Sequence, residues 1–85
     1  MDQSAEEILG SVRVLVDGWC NRRCLRALKC VLQGYPLSSP LTDGWAELLK
    51  SLEGVRASAR AEITENEARI LNDAISSVDR IVHRR

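Results

Sequence analysis

Eighty-five residues make one domain, residues 1–85, and a chain of this size buries only about 60% of its unfolded surface, so its core is thin. A content of 45% hydrophobic and 28% charged residues fits a globular chain and excludes a disordered one. Twelve basic and twelve acidic residues cancel, which removes the global field that would draw in nucleic acid or an anionic membrane and leaves only local patches for such roles.

The first helix is expected over about 4–17. Ser4 followed by Glu7 reads as a capping box, and Glu6 and Glu7 suit the positive end of the helix dipole. Ile8, Val12, Leu15 and Trp19 then recur at helical spacing, with Leu9 and Val16 beside them. Continued straight, the same stripe would bury Arg22 and Arg26 and turn Cys24, Leu28 and Val31 outward. The phase therefore requires a break. Asp17-Gly18 is the expected place, because glycine readily ends a helix in the left-handed conformation. Asn21 would then cap a second helix over 21–33. Its inward side would carry Cys24, Ala27, Leu28, Val31 and Leu32, with Leu25 at the margin.

Gly34, Tyr35 and Pro36 close that helix, and residues 34–41 hold both prolines in a loop whose Leu37 or Leu41 would pack on the bundle. Thr42 is the expected cap of a third helix over 43–62. Trp45, Leu48, Leu49, Leu52, Val55, Ala59 and Ile63 form its stripe, and Gly54 allows a close neighbour. Thr64-Glu65-Asn66-Glu67 is a second capping box, with Ile63 and Ala68 at staple positions. It opens a fourth helix over 65–83 with Leu71, Ala74, Ile75, Val78, Ile81 and Val82 on one face. The fold expected is all-α, a small antiparallel four-helix bundle. One long bent helix in place of the third and fourth is the alternative, because the stripe drifts across Thr64 without flipping. With no Phe and only Trp19, Tyr35 and Trp45 as aromatics, the core is aliphatic, and both tryptophans fall on its stripes.

Charge is uneven along the chain. Residues 1–18 carry a net −3, and residues 19–33 carry a net +4 with no acid. Arg22, Arg23, Arg26 and Lys29 make the second helix the one basic element. Such a face either pairs with the chain's own carboxylates or receives an acidic protein or a phosphate. Nucleic acid is the less favoured ligand, because Trp19 and Tyr35 stand at opposite helix ends rather than beside the arginines.

Three cysteines cannot close a disulfide framework and suit a reducing compartment. The start, MDQSAEEILG, is acidic where a secretory leader is basic, and no run approaches the roughly 18 apolar residues of a span. A cytoplasmic location without membrane insertion is expected. Cys20, Cys24 and Cys30 do not share one helix face and the single histidine, His83, is far away, so the spacing argues against zinc. Cys24 beside Arg22 and Arg23 has the surroundings of an activated thiol, yet its apolar register points to core packing. Cys30 is the thiol expected nearer the surface. No phosphate loop, metalloprotease helix or carboxylate pair is present, so neither catalysis nor a cofactor is expected. The sequence thus points to a non-catalytic helical module that binds another protein or itself, with a homo-oligomer as the simplest form. Nucleic-acid or phosphate binding through the basic helix is the alternative, and thiol or metal chemistry comes third.

Overall fold

The computed structural model describes residues 5–35 and 42–83, with side chains of the third helix from Gly44 onward. The described residues form four helices: α1 (Ala5–Asn21), α2 (Leu25–Val31), α3 (Thr42–Ser58) and α4 (Glu65–His83). The all-α expectation holds, and α4 begins where its capping box places it and runs to His83, the last residue described. Residues 59–64 separate α3 from α4, so the single bent helix is not what forms. The Ser4 box, the Thr42 cap and the packing of Leu37 or Leu41 lie outside what is described.

Each helix has two neighbours. α1 packs beside α2 and α4, and α3 packs beside α2 and α4, with no diagonal pairing. The apolar stripes meet at the centre of this ring. Ile8, Val12, Leu15 and Trp19 are fully buried, as are Leu48, Leu52, Val55, Leu71 and Val78. Trp45 joins the same core, so both tryptophans do what their register requires. At about 25 cal/mol per Å² of apolar surface removed from water, these residues supply the main driving force. Among the described residues no helix is long and apolar enough to cross a membrane.

Among Gly10, Gly18, Gly34 and Gly54, Gly34 is the one that its site demands. A Cβ built there would stand 2.5 Å from the Glu47 carbonyl oxygen and 2.7 Å from Ser51 Oγ. The chain leaving α2 therefore lies directly on the backbone of α3, an approach only glycine permits. Gly54, expected to admit a close neighbour, is less restrictive, since a Cβ there would be 3.9 Å from the Cβ of Cys30, an ordinary contact.

α3 covers Thr42–Ser58 rather than the expected 43–62, because the chain turns at 59–63, where Glu62 N–H bonds the Ala59 carbonyl at 2.9 Å. The boundaries of α1 and α2 differ at the corner between them. α1 does not break at Asp17-Gly18 but runs on through Asn21. Asn21 ends α1 and does not cap α2, whose N-cap is Cys24 with no side-chain capping hydrogen bond. α2 accordingly covers 25–31 rather than 21–33. The apolar phase does flip after Trp19, but no glycine marks the turn. The chain places its left-handed residue at Arg23, with φ of 56°. Cys24 N–H donates to the Trp19 carbonyl at 2.9 Å and Arg23 N–H to the Cys20 carbonyl at 3.2 Å. These are the two bonds of a Schellman helix end, with arginine in the position glycine usually holds. Cys24, at φ −78° and ψ 76°, is the centre of an inverse γ-turn closed by Leu25 N–H on the Arg23 carbonyl at 2.9 Å. Leu28 N–H then bonds the Cys24 carbonyl at 3.0 Å and starts α2.

Candidate functional site: the α1–α2 corner and the outer face of α2

The corner at 22–24 is held from across the molecule. Glu67, the last residue of the α4 capping box, is its anchor. Glu67 Oε1 accepts from Thr64 N–H at 2.9 Å, while Glu67 N–H donates to Thr64 Oγ1 at 3.1 Å, which completes the box. The same Oε1 accepts from the indole Nε1 of Trp19 at 3.1 Å. Oε2 accepts from Arg22 Nη1 in an ion pair. Gly18 fits beneath this carboxylate, where a Cβ would lie 3.5 Å from Oε2. Burial pulls the Glu67 carboxyl upward. The hydrogen bonds from Arg22, Thr64 and Trp19, with the charge of Arg22, outweigh it and hold the group below the ordinary carboxylate range. Arg22 is raised in turn, first by its hydrogen bond to Glu67.

Glu62, in the α3–α4 connection, carries a second set of bonds. Its carboxylate accepts from Ala27 N–H at 3.0 Å. With Cys24 as N-cap, Ala27 is the third helical residue, so Glu62 performs the capping that Cys24 does not. The Glu62 carbonyl accepts from Arg22 Nη2 at 2.6 Å and from Cys24 Sγ at 3.6 Å. A negative group at the start of a helix also meets the favourable end of its dipole. This cluster orders two corners at once. No reacting group in it is left without a structural partner.

The four basic residues singled out in the sequence therefore part company. Arg22 is committed to Glu67 and the Glu62 carbonyl, and it precedes α2 rather than lying on its outer face. Arg23, Arg26 and Lys29 are exposed and form no ion pair with another described residue. The thiols also sort differently from the expectation. Cys24 is buried as its register required. Cys30 is only half-buried against α3, and Cys20 is the exposed thiol, because α1 runs on past Gly18 and carries Cys20 on its outer side. Among the described residues no three His, Cys, Asp or Glu side chains gather as a metal site requires.

The sequence reading missed the outward leucines. Leu25 is 70% exposed and Leu32, expected inside, is 53% exposed. Ala27 and Val31 face the core, and Leu28 lies between the two sets. The apolar arc of α2 is thus wider than the surface its neighbours cover. The marginal register of Leu25 was the only hint available in the sequence. A shallow groove elsewhere, where α3 ends and α4 begins, has Ile63 and Leu71 in its lining and Glu53, Arg56, Arg60 and Asn72 as its polar residues. Its lining brings no thiol, hydroxyl or imidazole, and Arg56 Nη1 is bonded to Asn72 Oδ1 at 3.3 Å.

No family model matches this chain, and it has no match among curated proteins or solved structures.

Proposed function

We propose that the chain is a non-catalytic helical interaction module that binds another protein or a second copy of itself through the outer face of α2. The observation that carries this reading is the exposure of Leu25 and Leu32 on a helix that also displays Arg26 and Lys29. Covering what remains exposed of these two leucines would add roughly 2–4 kcal/mol together, a sizeable fraction of the stability of so small a domain. A partner recovers that energy. The rest of the polar chemistry supports the reading by being occupied: Glu62, Glu67 and Arg22 hold corners, and Cys24 packs. Phosphate binding by the four basic residues is weakened as an alternative, because Arg22 is already engaged with a carboxylate. The three unpaired thiols suit work in a reducing cytosol.

The test is the oligomeric state across a range of concentrations by light scattering, together with affinity capture by the whole chain. The reading expects either self-association or a bound protein, and expects the Leu25→Ser/Leu32→Ser pair to abolish it without loss of helicity. A strict monomer that captures nothing would remove it.

A further inference from the structure

We infer that the seam between α1 and α2 is a docking groove for an acidic amphipathic helix of a partner protein; this rests on the interaction-module reading above and gives that partner its chemistry. The seam follows from helical geometry. At about 100° per residue, Gly18 lies one step to one side of the buried α1 stripe, while Leu9 and Val16 lie one step to the other. Gly18 faces α4, since a Cβ there would meet Glu67 Oε2. Among the described elements α1 packs beside α2 and α4, so the flank opposite Gly18, with half-buried Val16 nearest the corner, is its α2 side. On α2, Cys30 marks the α3 side, because Gly54 of α3 approaches it. Leu28 lies on the opposite flank, toward α1. Leu25 and Leu32, three residues before it and four after, continue that flank outward. By this geometry Val16, Leu28, Leu25 and Leu32 line one apolar strip along the seam.

Helices that dock in such grooves do so with anchors at i, i+3 or i+4, and i+7, the spacing that Leu25, Leu28 and Leu32 themselves display. Charge then selects the occupant. By the same step Lys29 borders the strip on its α2 edge, Arg26 lies about 60° beyond Lys29 on the outer face, and Arg23 precedes the helix, all exposed. Residues 19–33 contain no acid, and Arg22, the one cation there with an internal partner, is spent on Glu67. The α1 edge is mixed, with Arg13 beside Glu6 and Asp17, so the α2 edge sets the orientation. The complement is a helix with leucine-like anchors toward the seam and carboxylates along the α2 side. Nucleic acid fits less well. Trp19 and Trp45 are buried and Tyr35 is half-buried, which leaves no exposed aromatic for stacking among the described residues, and phosphates would cover leucines. A seven-residue helix with two exposed leucines also falls short of the long apolar face of a helix that lies in a membrane surface.

The probe is a side-chain-stapled, fluorescein-labelled helical peptide with Leu at i, i+4 and i+7 and Glu at the flanking positions, followed by anisotropy with the full chain. It should bind, weaken with added salt, and lose about tenfold or more in affinity in both Leu25→Ser/Leu32→Ser and Arg26→Glu/Lys29→Glu. These four side chains are exposed, so wild-type circular dichroism and melting of both variants keep the comparison clean. Equal binding of the same peptide with Lys in place of Glu overturns the inference. Tighter uptake of phosphatidylserine vesicles or of a single-stranded or duplex oligonucleotide also overturns it. If the peptide does not bind but light scattering gives a dimer that the leucine variant dissolves, a second copy occupies the seam. That result overturns the acidic partner and leaves the interaction-module reading standing. A strict monomer that binds no probe and captures no protein ends both.

Discussion

The two helix-to-helix corners make an instructive pair. The α3–α4 corner carries its own instructions. Thr64 and Glu67 cap α4 reciprocally over three residues, and Ile63 and Ala68 flank them. The α1–α2 corner carries almost none. Its left-handed residue is an arginine, its N-cap is a cysteine that accepts no cap bond, and the carboxylate that does the capping is 35 residues away. One corner folds from local chemistry. The other takes its shape from the first, through Glu62 and Glu67.

The most direct way to break that dependence is Glu67→Ala. It removes the return bond of the box, leaves the buried Trp19 N–H without an acceptor, and leaves Arg22 with only the Glu62 carbonyl. The Thr64 hydroxyl still caps the amide at 67, so the orphaned indole donor dominates at about 1–3 kcal/mol, and a loss near 2 kcal/mol in urea unfolding is expected. Arg22 adds little, because it is 40% exposed and its pair is screened by solvent. A loss below about 0.5 kcal/mol would mean the two corners are independent.

Glu62→Ala tests the borrowed cap alone. A decrease of about 1 kcal/mol is expected, with faster hydrogen exchange at the Ala27 amide and unchanged protection in the α4 first turn. Equal loosening of both corners would show that Glu62 acts on the connection as a whole rather than on α2.

Arg23→Gly should move the other way. A non-glycine residue in the left-handed region costs about 1–2 kcal/mol, partly offset by the extra entropy glycine loses on folding, so a gain of about 0.5–1 kcal/mol is expected in thermal or urea melts. A loss would mean the Arg23 side chain contributes more than its backbone costs.

The smallest effect is in pH. Glu67 is depressed in the folded state, so its contribution is fully present above the ordinary carboxylate value of about 4.3 and is lost as pH falls through its lower folded value. Glu67→Gln should flatten the acid limb of the stability curve below about pH 4.3. An unchanged slope would assign acid sensitivity to other carboxylates.

Much of this was legible before the structure. The stripe Ile8, Val12, Leu15 and Trp19 is buried as read, and α4 starts at its box. The phase flip after Trp19 correctly demanded a corner. Its position was misread because Gly18 is the residue that ends helices most easily, whereas here it fits under the Glu67 carboxylate and stays helical. Moving the corner from 17–18 to 22–24 shortened α2, took Arg22 off its face, exposed Cys20 instead of Cys30, and left Leu32 outside.

By itself, then, the sequence determined four amphipathic helices, an aliphatic core with two tryptophans, and one self-capped corner, because periodicity and capping boxes act within a few residues. Only the tertiary structure decided where α1 ends, which carboxylates hold the second corner, and which leucines remain on the surface. Those outcomes depend on pairs such as Trp19 with Glu67 and Ala27 with Glu62, 48 and 35 residues apart, whose meeting no local pattern encodes.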